Sequence, residues 1–148
     1  MPTTKVNFYD VPNAKQSILN IGAPSISITS KEYYPLTMMN YRLGGGGFAS
    51  ELTQQLREGT GYTYGIRSSF TGNKEEGNFL IASGVRSNVT LEATQLIKDI
   101  IESYATNYSE KDLALTRSYV LKSNARAFET SRSILSFLEN ISAYGWSN

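Results

Sequence analysis

The sequence predicts an α+β fold, in which an antiparallel or mixed sheet of about four to five strands is covered on one face by helices. Two observations lead to this prediction. Strand-like segments come in two pairs, one within residues 5–28 and one within residues 62–85. Each pair is followed by segments whose apolar residues recur at helical spacing. The expected order is therefore hairpin, two helices, hairpin, and then two or three helices.

The first hairpin is predicted over residues 5–10 and 14–28. Residues 5–10 alternate apolar and polar side chains, and residues 14–28 are rich in Ile and Ser. Pro12 and Asn13 between them favour a turn. We therefore expect two strands at the start of the chain.

Two short helices with a glycine run between them are predicted next. Apolar side chains over residues 32–43 recur at helical spacing, Pro35 suits a first turn, and Gly44 suits a left-handed stop. Residues 48–57 show the same spacing, with Phe48 on the apolar face. Glycines then end this second helix.

A second hairpin is predicted from residues 62–70 and 78–85. In the first segment, larger side chains alternate with smaller or polar ones, and the second segment is apolar. Residues 71–73 begin the turn between them. Simple alternation along the strand places Tyr62 and Tyr64 on the same face.

The remainder of the chain is predicted to be helical. Residues 88–104 form an amphipathic helix, and Ser109 with Asp112 resembles a capping box that opens a long helix reaching residue 128. Thr130 or the serine after it caps a last helix, which Gly145 ends before a tail that we expect to be disordered.

Length and composition indicate one domain, covering residues 1–148. The chain has 148 residues, of which 40% are apolar and 18% charged, which fits one globular domain with a sizeable core. No internal repeat or flexible linker divides it.

Charge and residue usage exclude several classes of function. With 14 basic and 13 acidic residues, no basic surface for nucleic acid or an anionic membrane is expected. No apolar run approaches the ~20 residues of a membrane span. Localisation cannot be deduced from the sequence. The chain has no Cys and no His, which excludes disulfides, a Ser-His-Asp triad and a histidine-ligated zinc site. Catalysis by this chain alone is not expected.

The most informative segment, residues 43–65, reads LGGGGFASELTQQLREGTGYTYG. A Leu-Gly run ends one helix, small residues and Ser open the next, and Leu-Arg-Glu is followed by Gly-x-x-Tyr. This order of spaced elements resembles the C-terminal, zinc-free half-domain of the insulinase/pitrilysin-type zinc peptidases, also called inverzincins. The resemblance extends over most of the chain and implies a LuxS/processing-peptidase-like half-domain with a substrate-binding role.

Arg57 and Tyr64 are the candidate site residues. A guanidinium and a phenol seven positions later both offer hydrogen-bond donors that suit a peptide carbonyl oxygen. From residue types alone, a solvated charge at a helix end and a strand core tyrosine are the preferred interpretation. The resemblance reverses that preference. It implies that both residues hold the substrate backbone and that Tyr64 polarises the scissile carbonyl or stabilises the oxyanion.

Gly44, Gly45, Gly46 and Gly47 are further candidates for substrate binding, with two interpretations open. The run is either a flexible helix end, which needs only one or two glycines, or a loop without side chains along which a peptide passes closely. The residues alone do not decide between them.

The resemblance also implies a zinc ion, but not in this chain. The family's inverted His-x-x-Glu-His motif has no counterpart, because the chain lacks His, and the carboxylates show no metal-binding pattern such as an EF-hand loop. No cofactor is therefore expected here. The resemblance places the zinc in a companion domain or subunit, with the peptide substrate enclosed between the two halves.

Three hypotheses follow. The chain is a piece of a complete peptidase, a natural subunit that complements a zinc-bearing partner, or a structural or binding module that kept the fold and lost the protease role. Arg57 and Tyr64 argue against the third, and a His-x-x-Glu-His motif upstream in the gene would separate the first two.

In isolation, a sheet edge or helix face normally covered by the companion is expected to drive homodimerisation, which a monomer at high concentration would contradict.

Overall fold

A computed structural model of the chain describes residues 5, 7 and 11–145. Three strands form one antiparallel sheet in the order β1-β3-β2: β1 (Gln16–Ser25), β2 (Thr63–Gly72) and β3 (Gly77–Arg86). The five α-helices of the described residues are α1 (Tyr33–Asn40), α2 (Glu51–Thr53), α3 (Thr90–Asn107), α4 (Glu110–Asn124) and α5 (Ser131–Tyr144). The predicted α+β class is confirmed.

The described sheet has fewer strands than predicted. Of the expected first strand over residues 5–10, only Lys5 and Asn7 are described, and neither belongs to a strand; the rest lies outside the described residues. The second expected strand is confirmed as β1. It pairs with β3 along its whole length, from Gln16 opposite Arg86 to Ser25 opposite Gly77.

The second predicted hairpin is confirmed as β2 and β3. Its turn is organised by Asn73, whose side-chain oxygen accepts the backbone N–H of Glu75 at 2.8 Å and of Glu76 at 3.1 Å. The Asn73 N–H in turn donates to the Glu76 carbonyl oxygen at 2.9 Å. Asparagine at this position uses its side chain to replace a backbone turn bond.

Helices cover one face of the sheet. On β3, Phe79, Ile81 and Val85 point toward them, while Leu80 on the opposite face is exposed, as the two-residue period of a strand requires. The core lies between this face of the sheet and the helical segments around α2 and α3. Its buried apolar residues are Leu43, Leu52, Leu56, Ile66, Ile81, Val85, Ala93, Ile97 and Ile100.

The first helix does not stop at Gly44 in a left-handed conformation, so that prediction was wrong. The chain continues through a π-helical turn over Tyr41–Gly45, and the positive φ of 58° occurs at Gly47 instead. Glycine is needed at position 44 for space, because a Cβ there would lie 2.3 Å from Ser68 Oγ. The helix end thus packs directly on β2.

The predicted capping box is confirmed at the start of α4. The Ser109 N–H donates to Asp112 Oδ2 at 3.0 Å, and the Asp112 N–H donates to Ser109 Oγ at 3.3 Å. Each residue therefore satisfies a backbone donor that the helix leaves free. The helix ends at Asn124, earlier than predicted, and a 3₁₀ turn over Ala125–Phe128 follows.

The cap and stop signals of the last helix are also confirmed. Thr130 Oγ1 accepts the Ser133 N–H at 3.1 Å, and Gly145 ends α5 with φ 66°. The expected disordered tail lies outside the described residues. None of the helices in the described part of the chain is long and apolar enough to cross a membrane.

Candidate functional site

Arg57 and Tyr64 meet at the surface, together with Phe48. Arg57 lies in a π-helical turn, Gln54–Gly59, that continues α2. Its Cζ lies over two aromatic rings, 4.6 Å from the Phe48 ring centroid and 4.9 Å from the Tyr64 ring centroid. The Tyr64 residue is 87% exposed and Phe48 63% exposed. We call these three residues the Arg57 cluster.

A β-bulge turns Tyr64 outward. Thr63 pairs with Val85 and Ile66 with Ser83, so Tyr64 and the following glycine stand opposite a single residue of β3. Two residues against one interrupt the two-residue alternation of the strand. As a result Tyr64 is exposed although Ile66, two residues on, is buried. Tyr62 precedes β2 and packs against the core, so the prediction that the two tyrosines share a face was wrong.

Two buried hydroxyl groups lie beneath the bulge. Thr63 Oγ1 accepts the Gly65 N–H at 3.0 Å and lies 2.7 Å from the Gly84 carbonyl oxygen. The Ser83 hydroxyl lies 2.9 Å from Thr63 Oγ1 and 3.0 Å from the Gly65 carbonyl oxygen. Because these bonds replace the interrupted ladder, the bulge that carries Tyr64 is a fixed feature of the sheet.

Side chains also hold the loop that carries Phe48. Gln54 Nε2 donates to the Phe48 carbonyl oxygen at 2.6 Å, and Ser50 Oγ donates to the carbonyl oxygen of the residue before Phe48 at 2.7 Å. The Arg42 guanidinium donates to the carbonyl oxygen of the residue after Phe48. Arg42 is itself held by Asp112 Oδ1, 2.8 Å from its Nε. The Phe48 backbone is therefore fixed on three sides.

The Arg57 guanidinium keeps hydrogen-bonding capacity. Its Nε lies 3.3 Å from Oε1 of the neighbouring Glu58, the one carboxylate within ion-pair distance in the described part of the chain. An exposed ion pair of this kind contributes only about 0–1 kcal/mol. Together with the Tyr64 hydroxyl, Arg57 can therefore donate to a carbonyl oxygen presented at this surface.

The glycine run has its own packing and conformational requirements. Gly44 is buried, Gly47 needs its positive φ of 58°, and in sequence the run directly precedes Phe48 of the Arg57 cluster. Peptide contact by the run stays a prediction. The nearest atoms to a Cβ added at Gly44, Gly45 and Gly46 are, in order, Ser68 Oγ at 2.3 Å, Asn40 Nδ2 at 3.0 Å and Tyr41 O at 2.5 Å.

The residues of this chain do not fit a zinc site. The whole sequence has no His and no Cys. Among the described residues, no three acidic side chains converge where they could hold a metal ion. Zinc requires several nitrogen, sulfur or carboxylate ligands at one point.

Sequence reasoning missed the contact between Phe48 and Arg57. Helical spacing placed Phe48 on the apolar face of the second helix, but Phe48 precedes α2 in a short 3₁₀ turn, Gly47–Ala49, and is 63% exposed. The available signal was the position of Phe48 directly after a glycine run, where a regular helix had not yet begun.

The fold and the site define a class: an α+β domain that offers hydrogen-bond donors at its surface and whose described residues contain no group of acidic side chains that could hold a metal ion. The chain belongs to the peptidase M16 family, since the model of the peptidase M16 inactive domain matches residues 2–120. This confirms the predicted zinc-free half-domain.

Relatives with known names or structures agree with this assignment. An uncharacterized zinc protease of Streptomyces coelicolor is 26% identical over 91 residues, which are 62% of this chain and 20% of that protein. A crystal structure of a peptidase M16 inactive domain from Pseudomonas fluorescens is 26% identical with a TM-score of 0.82, over 89% of this chain and 32% of that one.

A second solved structure shares the fold. A protease from Helicobacter pylori superimposes with a TM-score of 0.82 and 17% identity, over 91% of this chain and 33% of that one. The chain thus spans between 20% and 33% of the length of these three relatives.

Proposed function

We propose that this chain is the substrate-binding half of a zinc-dependent endopeptidase, and that it completes the active site of a zinc-bearing companion domain or subunit. Family membership supports the peptidase context. The observation that carries the proposal is the surface contact between Arg57 and Tyr64, with 4.9 Å from the guanidinium carbon to the ring centroid. Because of this contact, the hydrogen-bond donors of Arg57 and Tyr64 lie next to each other on the surface.

The proposed ligand is the backbone of an extended peptide. Arg57 donates charge-assisted hydrogen bonds to a substrate carbonyl oxygen, which positions the chain. Tyr64 donates through its hydroxyl to the scissile carbonyl, and this bond strengthens as negative charge develops on the oxygen. Neither role needs either residue to lose or gain a proton.

The companion supplies what this chain lacks. Without His or Cys, the chain offers neither the zinc ligands nor an imidazole base. Its named relatives are longer, and one is called a zinc protease. The zinc and its chemistry are therefore assigned to the companion, and the peptide lies between the two halves.

The surfaces of the isolated chain fit the predicted homodimer. Within the described sheet, β1 and β2 each have one edge without a partner strand, and Ile18 on β1 is exposed. Such edges pair readily with another chain. Sedimentation of the purified chain over a concentration series tests this prediction.

Peptide hydrolysis by the zinc-loaded complex, rebuilt from this chain and its companion, tests the proposed function. Arg57→Ala and Tyr64→Phe should each lower kcat/KM by about 10- to 1000-fold, because each removes a donor to the reacting backbone. Tyr62→Phe is the matched control. It removes a phenolic hydroxyl from a residue that packs against the core, and it should leave kcat/KM unchanged. Circular dichroism checks folding.

Full hydrolysis by both site variants would contradict the proposal. The chain would then be a domain that retains the family fold and acts as a scaffold or a binding surface.

A further inference from the structure

Arg57 needs a restraint that its ion pair with Glu58 does not provide. An arginine side chain has high rotamer entropy, and freezing it in one orientation for substrate requires a fixed contact. The carboxylate within reach in the described chain belongs to Glu58, its exposed sequence neighbour. Both residues lie on the same π-helical turn, so their ion pair does not fix Arg57 relative to β2.

Phe48 provides such a contact from a separate segment. The Arg57 Cζ is closer to the Phe48 ring, at 4.6 Å, than to the Tyr64 ring, at 4.9 Å. The Phe48 backbone is held by the Gln54 amide and flanked by residues that bond to Ser50 and Arg42. An exposed aromatic ring on a fixed backbone is suited to binding a cation through its π face.

A ring contact has an advantage over a second carboxylate here. The ring attracts the positive charge of the guanidinium without accepting a hydrogen bond from any of its five N–H groups. The donors that Glu58 does not engage therefore stay available for a carbonyl oxygen. An acidic residue in the same place would compete for them.

We infer that Phe48 is a positioning residue, whose ring holds the Arg57 guanidinium beside Tyr64 in the orientation from which it binds the substrate backbone. The inference rests on the proposed function for its effect on catalysis. The contact itself is a property of the free chain and can be measured without substrate.

The experiment uses Phe48→Leu, which keeps apolar bulk and removes the ring, with Phe48→Tyr as the variant that keeps it. In the zinc-loaded complex, Phe48→Leu should lower kcat/KM by about 3- to 10-fold, and Phe48→Tyr should restore it. In the NMR spectrum of the 148-residue chain, the Arg57 Nε–H signal should move toward that of a solvated arginine in Phe48→Leu only.

A double variant separates positioning from a general structural role. If Phe48 acts through Arg57, then adding Phe48→Leu to Arg57→Ala should cause no further loss of kcat/KM. An additional loss of the same size as in the single variant would overturn the inference, as would wild-type kcat/KM in Phe48→Leu. If Arg57→Ala alone still lowers hydrolysis, these outcomes contradict only the role of Phe48 and leave the proposed function standing. Full activity of Arg57→Ala would contradict the proposed function and the role of Phe48 together.

Discussion

Asn40 and Ser68 exchange two hydrogen bonds between the end of α1 and β2. Asn40 Nδ2 donates to the Ser68 carbonyl oxygen at 3.0 Å, and Ser68 Oγ donates to Asn40 Oδ1 at 2.5 Å. Both residues are buried, with 8% and 1% of their surface exposed. The pair therefore fixes the helix and the glycine run against the strand that carries Tyr64.

Asn40→Ala should lower the free energy of unfolding by about 1–3 kcal/mol, because it leaves the Ser68 groups buried without a partner. Urea unfolding monitored by circular dichroism measures this. Asn20→Ala, on the exposed side of β1, is the control and should change stability little. Equal effects of the two substitutions would contradict the assigned role.

Gly44→Ala should lower the free energy of unfolding by about 1–3 kcal/mol through overpacking. The added methyl group would lie 2.7 Å from the Ser68 backbone nitrogen and 2.9 Å from Leu52 Cδ1, and backbone yields less readily than a side chain. Gly65→Ala is the matched control, because a Cβ at Gly65 meets nothing within 4 Å. If both substitutions shift the urea midpoint equally, close packing is not the reason for Gly44.

Asp112 should make folding stability depend on pH in the acid range. Hydrogen bonds from the Ser109 hydroxyl and backbone N–H, together with the Arg42 guanidinium, hold the pKa of Asp112 below its usual value. A folded pKa below the unfolded one adds stability at neutral pH, and this contribution is lost as the pH falls below about 4.

The corresponding variant is Asp112→Asn. It should lower the free energy of unfolding at pH 7 by about 1 kcal/mol, and this deficit should be smaller at pH 2 to 3. Urea unfolding at both pH values measures the difference, with Glu139→Gln as the control for removing one exposed carboxylate. A deficit of the same size at both pH values would show that the charge of Asp112 is not responsible.

Thr116→Val should raise the free energy of unfolding by about 1 kcal/mol, because Thr116 is fully buried and its hydroxyl has no hydrogen-bond partner among the described residues. Thermal unfolding measures the change. Thr116→Ser keeps the hydroxyl and removes the methyl group, so it should destabilise the chain. A loss of stability in Thr116→Val would indicate that the hydroxyl is satisfied in solution.

The features that sequence predicted correctly are those decided by neighbouring residues. The capping box of Ser109 and Asp112, and the stop at Gly145, depend on side chains within one helical turn. The outward direction of Tyr64 depends on register with β3, which local alternation does not contain. At Gly44 the residue type was informative but ambiguous, because a left-handed stop and a close approach to another segment both favour glycine.

The position of β3 between β1 and β2 affects the order of folding. β3 reaches β2 across the short turn at residues 73–76, whereas its pairing with β1 closes a loop that contains residues 26–76. The entropy lost on closing a loop rises with its length, so the hairpin forms at lower cost than the β1 pairing. Substitutions in the hairpin are then expected to slow refolding, and substitutions in β1 mainly to accelerate unfolding, which stopped-flow kinetics would distinguish. Of the Arg57 cluster, Tyr64 lies in this hairpin, so its bulge is expected to form before the sheet is complete.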